Sequence, residues 1–307
     1  MAPGGYAWWY VDALSDDGRH GLTIIGFVGS VFSPYYARAR RRAAGGAADP
    51  LDHCALNVAL YGDARSDNRW AMTERGRRSV QRDATTLRIG PSIMRWDGDV
   101  LVFDIDEVTV PIPSRLRGQV RVHPAAIVAR SFALDDTAHH HWRPIAPCAR
   151  VEVALSHPSL KWRGTGYLDS NTGTRPLEQD FPAWEWSRGT LRDGRTVVLY
   201  DVTRRDAEPL SLAVAFDPSG GIEAFEPPGR AALPRTGWRM DRSTRSTAGH
   251  APKVLQTFED APFYSRSLIE SHLLGERVTA VHESLSLERF AAPWCQWMLP
   301  FRMPRNA

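Results

Sequence analysis

The sequence predicts an all-β protein built from two tandem β-units, each a barrel or sandwich, and three observations carry the prediction. Short runs rich in β-branched and aromatic residues recur between Gly, Pro, Asp and Asn clusters at about 8 to 12 residues, the spacing of sandwiches and barrels. No apolar stripe of helical period runs for four turns. The third observation is an internal repeat. Trp8 and Trp9 precede Leu14, Asp17, Gly18, Arg19 and an apolar strand, and Trp184 and Trp186 precede Leu191, Asp193, Gly194, Arg195 and apolar residues 196–200. Residues 56–62 followed by Glu74, Arg75, Gly76 and Arg77 are answered by residues 212–220 followed by Glu226, Gly229 and Arg230. The second offset is shorter by about the length of residues 33–50, a segment that the second half lacks.

In chain order, residues 6–11 and 22–31 read as two strands joined at Asp17-Gly18, a hairpin signal because Gly accepts positive φ. Trp8 and Trp9 point to opposite faces of the first strand, one toward core and one toward the surface. Residues 33–50 break the pattern with Tyr35, Tyr36, Arg38, Arg40, Arg41, Arg42 and a small-residue tail. They read as a loop, either solvated or resting on an anionic membrane surface with Tyr at headgroup level. Strands resume over residues 53–62 and 69–74, Gly76 and Pro91 punctuate, and a strand over 100–110 ends at Pro111 and Pro113. Short strands are expected over 119–122, 131–134 and 151–155. Gly173, Pro176 and Pro182 mark the join, dividing the chain into domains 1–178 and 179–307.

Composition bounds the partners. With 307 residues, 43% hydrophobic and 24% charged, the chain can bury a core. Eleven Trp suit an apolar cavity. The net charge of +3 comes from arginines, since Lys161 and Lys253 are the only lysines, and 35 acidic residues interleave with them, so no nucleic-acid footprint is expected. Cys54, Cys148 and Cys295 are odd in number and far apart, which predicts neither disulfides nor zinc and fits a reducing, cytoplasmic compartment. Residues 1–10 lack the features of a secretory signal, and the longest apolar stretch, 22–32, is too short to span a bilayer. Nothing in the sequence fixes an oligomeric state.

The chemistry-bearing stretch is Gly166, Tyr167, Leu168, Asp169, Ser170, Asn171, with His139, His140, His141 and Trp142 upstream. Alternation puts Tyr167 and Asp169 on one strand face and pairs His140 with Trp142. A carboxyl, an imidazole and aromatic faces in one place suit acid chemistry on an apolar substrate, with cation–π stabilisation of a carbocation. A turn residue bonding its own backbone is the bland reading of Asp169. Three consecutive histidines on a strand cannot share one face, so no metal site is expected. No G-x-S-x-G elbow and no phosphate-binding Gly loop is present. A cleft where the two units meet is the expected place for a ligand, with Trp184, Trp186 or His282 closing it.

GYAWWYVDALSDDG (5–18), FVGSVFSPYYA (27–37), HCALNVALYG (53–62), RWAMTERGR (69–77) and GYLDSN (166–171) resemble the acyclic carotenoid 1,2-hydratases, also called hydroxyneurosporene synthases, and the likeness runs over nearly the whole chain. The resemblance implies a tandem lipocalin-like β fold and cofactor-independent addition of water to the terminal C1–C2 double bond of neurosporene- or lycopene-type carotenoids. It also implies that Asp169 is the proton donor and that His140, Trp142 and Tyr167 are its working neighbours. Peripheral membrane contact follows from a bilayer-dissolved substrate. An apolar-ligand carrier and an isoprenoid or polyene cyclase are the competing functions.

Overall fold

The computed structural model describes residues 1–43, 45 and 47–306. The chain forms two compact units. The first holds residues 1–133, 137–176 and 296–307, and the second holds 134–136 and 177–295.

The first unit opens with β1 (Tyr6–Ser15) and β2 (Gly21–Val28), joined by the predicted turn, where Gly18 has φ +71°. A helix follows, α1 (Pro34–Arg42), then β3 (Cys54–Tyr61), β4 (Arg69–Arg75), β5 (Val80–Arg82), β6 (Thr86–Ile89), β7 (Ser92–Asp97), β8 (Val100–Val108), β9 (Arg115–Pro124), β10 (Phe132–Ala133), β11 (His140–His157) and β12 (Leu160–Gly173). Neighbouring strands run β4-β3-β2-β1-β12-β11-β9-β8-β7-β6-β5, with β10 on β11. All these pairings are antiparallel, so hairpin connections suffice almost throughout. The sheet curls on itself until β4 approaches β8. Arg75, on β4, donates to Glu107 of β8 at 2.7 Å, and the Val110 amide bonds the Trp70 carbonyl. Burial pushes the Glu107 carboxyl up, while the Arg75 guanidinium and the Ser92 hydroxyl counter that shift.

One face of this sheet forms the apolar core, including Val11, Ile24, Val58, Phe103, Val151 and Leu168. Residues 33–50 are not the loop their sequence suggests. Ser33 caps α1 by accepting from the Tyr35 and Tyr36 amides, Pro34 takes the first turn, and three arginines end it beside the negative pole of the helix. Tyr36 and Arg40 are buried: Tyr36 donates to the Gly5 carbonyl, and the Arg40 guanidinium lies 4.5 Å from its ring. These two residues therefore do not face a membrane, whereas Arg38, Arg41 and Arg42 are exposed.

The single strand β11 replaces the short strand expected over 151–155 and takes in His140 and His141 of the histidine cluster. It carries two bulges against β12, between Arg143 and Ala146 and between Ala146 and Ala149.

The second unit contains α2 (Leu177–Asp180), β13 (Ala183–Thr190), β14 (Thr196–Thr203), β15 (Leu210–Phe216), β16 (Ile222–Ala224), β17 (Arg230–Leu233), β18 (Arg242–Arg245), β19 (Lys253–Asp260), β20 (Tyr264–Leu273), β21 (Glu276–Ser286) and α3 (Leu287–Ala291). Its seven-stranded sheet runs β16-β15-β14-β13-β21-β20-β19, and β17 pairs with β18. Gly194, at φ +87°, makes the turn between β13 and β14. After α4 (Pro293–Met298), the last described strand, β22 (Arg305–Asn306), belongs to the first unit, where it pairs in parallel with β4. Among the described residues no helix is long and apolar enough to cross a membrane.

Candidate active site

The candidate site lies on the face of the first sheet opposite the apolar core, across β1, β12 and β11. Ladder register sets its rows. Tyr6 and His140 both oppose Gly173, Trp8 and Trp142 both oppose Asn171, Tyr10 opposes Asp169, and Asp12 opposes Tyr167. Directly paired residues share a face, and so do residues two apart on one strand, so all these side chains project the same way. The intervening Val11, Ala13 and Leu168 go to the core.

Asp169 is buried at 4% exposure. The Trp142 indole Nε1 and the Tyr167 hydroxyl both donate to its Oδ2 at 2.8 Å. Burial, then the Asp169 charge, and more weakly that of Asp12 hold the Tyr167 hydroxyl well above its ordinary range, so it stays a proton donor in this contact. Tyr10 donates to Asp12 Oδ2 at 3.0 Å, and its ring meets that of Tyr167 edge-on at 6.2 Å. One row along, the Tyr6 hydroxyl and His140 Nδ1 are 2.9 Å apart, and Tyr6 stacks on Trp8 at 5.0 Å. Phe132 lies 5.1 Å from Trp142, and Phe27 lies 6.2 Å from Trp8. The result is a buried carboxyl in an aromatic enclosure, an arrangement able to deliver a proton and to stabilise a cation on aromatic faces.

Gly173 makes the Tyr6–His140 contact geometrically available. A Cβ there would lie 2.3 Å from Tyr6 Cε1 and 2.7 Å from His140 Nδ1. The reason is space in the middle strand, which only a missing side chain supplies.

A family described as carotenoid hydratase CrtC matches residues 24–307. The chain is 59% identical over 99% of its length to the acyclic carotenoid 1,2-hydratase of Thiocapsa roseopersicina, covering 74% of that protein. It is 52% identical over its full length to the acyclic carotenoid 1,2-hydratase of Rubrivivax gelatinosus, covering 75% of it. The chain belongs to the CrtC carotenoid hydratase family. A crystal structure described as a candidate AttH from Nitrosomonas europaea shares the fold, with a TM-score of 0.64 over 92% of each chain at 15% identity.

Of the residues that the sequence singles out in this CrtC-family chain, Tyr167, Asp169 and Trp142 converge on a single carboxylate oxygen, while His140 stands in the adjacent row against Tyr6. His140 is the buried member of its cluster. His139, just before β11, bonds Thr174 Oγ1, and His141 bonds the Ala138 carbonyl, both in exposed contacts. Trp8 is buried on the site face, and Trp9 packs partly against the apolar core, so neither is the surface residue expected of the pair. Sequence reasoning passed over Tyr6, Tyr10 and Asp12. Their signal was the alternation Tyr6, Trp8, Tyr10, Asp12 against Ala7, Val11 and Ala13, a strand polar and aromatic on one face and small and apolar on the other.

Among the described residues, no cluster of three or more His, Cys, Asp or Glu has metal-binding geometry, and Cys54, Cys148 and Cys295 are buried and form no disulfide. In the second unit Trp184, Trp186 and His282 are buried, and His282 Nε2 lies 2.8 Å from the Ser243 carbonyl and 3.5 Å from Glu185 Oε2. Burial pushes the Glu185 carboxyl up to about 8 and the His282 imidazole down to about 4.

Proposed function

We propose that this chain is an acyclic carotenoid 1,2-hydratase that adds water to the terminal C1–C2 double bond of neurosporene, lycopene and their derivatives without a cofactor. The observation that carries the reading is the convergence of Trp142 and Tyr167 on Asp169 Oδ2 inside an aromatic enclosure, in a chain so close to relatives of that name. With Oδ2 accepting two hydrogen bonds, Oδ1 is the oxygen that carries the proton in the acid form that reacts. The alkene π electrons take that proton at C2, leaving a tertiary cation at C1, the more substituted carbon. The water oxygen then bonds to C1, and the resulting oxonium returns a proton to the Asp169 carboxylate, so acid and charge are restored. The two donors on Oδ2 stabilise the carboxylate as it forms, and the Trp142 and Tyr167 ring faces stabilise the cation. His140 and Tyr6 fix the wall of the enclosure one row along.

Two further readings accompany this one. The two units are tandem lipocalin-like repeats, divided near residue 178. Support comes from parallel strand order: β1 pairs with β2 and β12 as β13 pairs with β14 and β21. The protein is cytoplasmic and attaches peripherally to the membrane holding its substrate, through exposed Arg38, Arg41 and Arg42. Tyr35 and the exposed Trp297 and Phe301 serve at headgroup level.

Incubation of purified protein with lycopene or neurosporene, followed by mass spectrometry, tests the function. A product heavier by one water is expected, and Asp169→Asn abolishes it. An unchanged carotenoid points to a carrier, and an isomer of unchanged mass to a cyclase. Full hydration by folded Asp169→Asn refutes the role of Asp169.

A further inference from the structure

Beside the acid stands a polar side chain that the protonation step does not use. Asn171 is 3% exposed and projects from β12 on the same face as Asp169, two residues away. It lies in the ladder between Trp8 and Trp142, opposite each of them. Its Nδ2 is buried and has no hydrogen-bond partner among the described residues. An unpaired buried amide costs about 1 to 3 kcal/mol, and an apolar side chain in its place would carry no such cost. The amide therefore answers to something other than the fold.

Chemistry narrows the candidates, on the reading that the substrate is an acyclic carotenoid. The reacting end of such a molecule is hydrocarbon and offers nothing to an amide. The one oxygen in the reaction is that of the water, later the tertiary alcohol. We infer that Asn171 holds the attacking water, making it a catalytic residue for the capture step as Asp169 is for protonation. Residues two apart on a strand are separated by about 7 Å. That distance accommodates adjacent carbons between two groups, C2 within about 3 to 3.5 Å of the acid and C1 equally close to a water bonded to the amide. The amide keeps the water oxygen next to C1 while the cation lives. Without it, the cation loses a proton from C2 or a neighbouring methyl back to the Asp169 carboxylate, giving starting alkene or its double-bond isomer in place of alcohol.

The two steps separate in heavy water. Wild-type protein with lycopene in D2O gives mainly deuterated alcohol. Asn171→Leu and Asn171→Ala are expected to lower the ratio of alcohol to deuterium-labelled recovered alkene by about tenfold or more. Asp169→Asn gives neither alcohol nor label. The ratio is internal to each incubation, so it does not depend on how much of a variant folds. An unchanged ratio in both Asn171 variants overturns the inference, as does a loss of label in step with alcohol. Failure of the hydratase reading looks different, because wild-type protein then forms no alcohol.

Discussion

Replacing Tyr167 by Phe removes one atom from the site and leaves the ring, which makes it the sharpest probe of how Asp169 is tuned. The hydroxyl donates to Asp169 Oδ2 at 2.8 Å from a fully buried side chain, so no solvent replaces the lost bond. A hydrogen bond to a charged group is worth about 1.5 to 3 kcal/mol. The carboxyl gains its charge as the proton leaves for C2, so this bond is weaker in the starting acid, at about 0.5 to 1.5 kcal/mol, and reaches its full strength only as the charge develops. The difference, about 1 to 1.5 kcal/mol, makes its loss lower kcat by roughly 5- to 15-fold if the charge is fully developed, and by less in proportion if it is partial. KM for the carotenoid changes little, because the aromatic face remains. Direction on the pH axis follows from the same bond. A carboxylate with one donor fewer holds its proton more tightly, so the alkaline limb of the kcat profile moves to higher pH. Steady-state hydration assays from pH 6 to 9 on wild type and Tyr167→Phe measure both effects. An unchanged kcat, or a limb that moves to lower pH, refutes the argument that Tyr167 acts through Asp169.

Gly173→Ala puts a Cβ 2.3 Å from the Tyr6 ring and forces Tyr6 and His140 apart. A loss of about 1 to 3 kcal/mol is expected, together with reduced hydration; an unchanged melting temperature and rate would show that the contact is dispensable. Glu185 in the second unit predicts a pH-dependent stability. Its folded value of about 8 lies above the ordinary 4.5, so from pH 4.5 to 8 the unfolded chain has released a proton that the folded one keeps, and stability falls as pH rises. His282, folded at about 4 against 6.5, acts oppositely below pH 6.5, which leaves the interval from 6.5 to 8 to Glu185 alone. The loss there is about 2 kcal/mol, and thermal melts of Glu185→Gln should show a flatter profile over that interval; an identical slope refutes the assignment.

The faces of individual strands were legible because alternation is local. Tyr167 with Asp169, and His140 with Trp142, fall on common faces as period two requires. What joins these pairs is not local. Nothing in residues 6–12 says that β1 will lie beside β12 rather than another strand, so Tyr6, Tyr10 and Asp12 stayed out of sight until the register was known. The helix α1 was missed for a different reason. Ser33-Pro34 is a helix-start signal, but Tyr35-Tyr36 favours strands, and the cost of nucleating nine residues is met by packing Tyr36 inward, which no local pattern reveals. The length of β11 was hidden by its bulges, which interrupt alternation in the middle of the strand.

Those bulges have a consequence for how the sequence can change. A strand has a reading frame of two, and each bulge shifts it by one residue. Two bulges restore it, so His140 and Trp142 keep to the chemical side while Val151 and Val153, farther along the same strand, keep to the core. Insertions and deletions within residues 144–148 are therefore tolerated in twos, as length changes in coding DNA are tolerated in threes. A single lost residue would put one end of β11 out of frame, turning either the site or the core inside out.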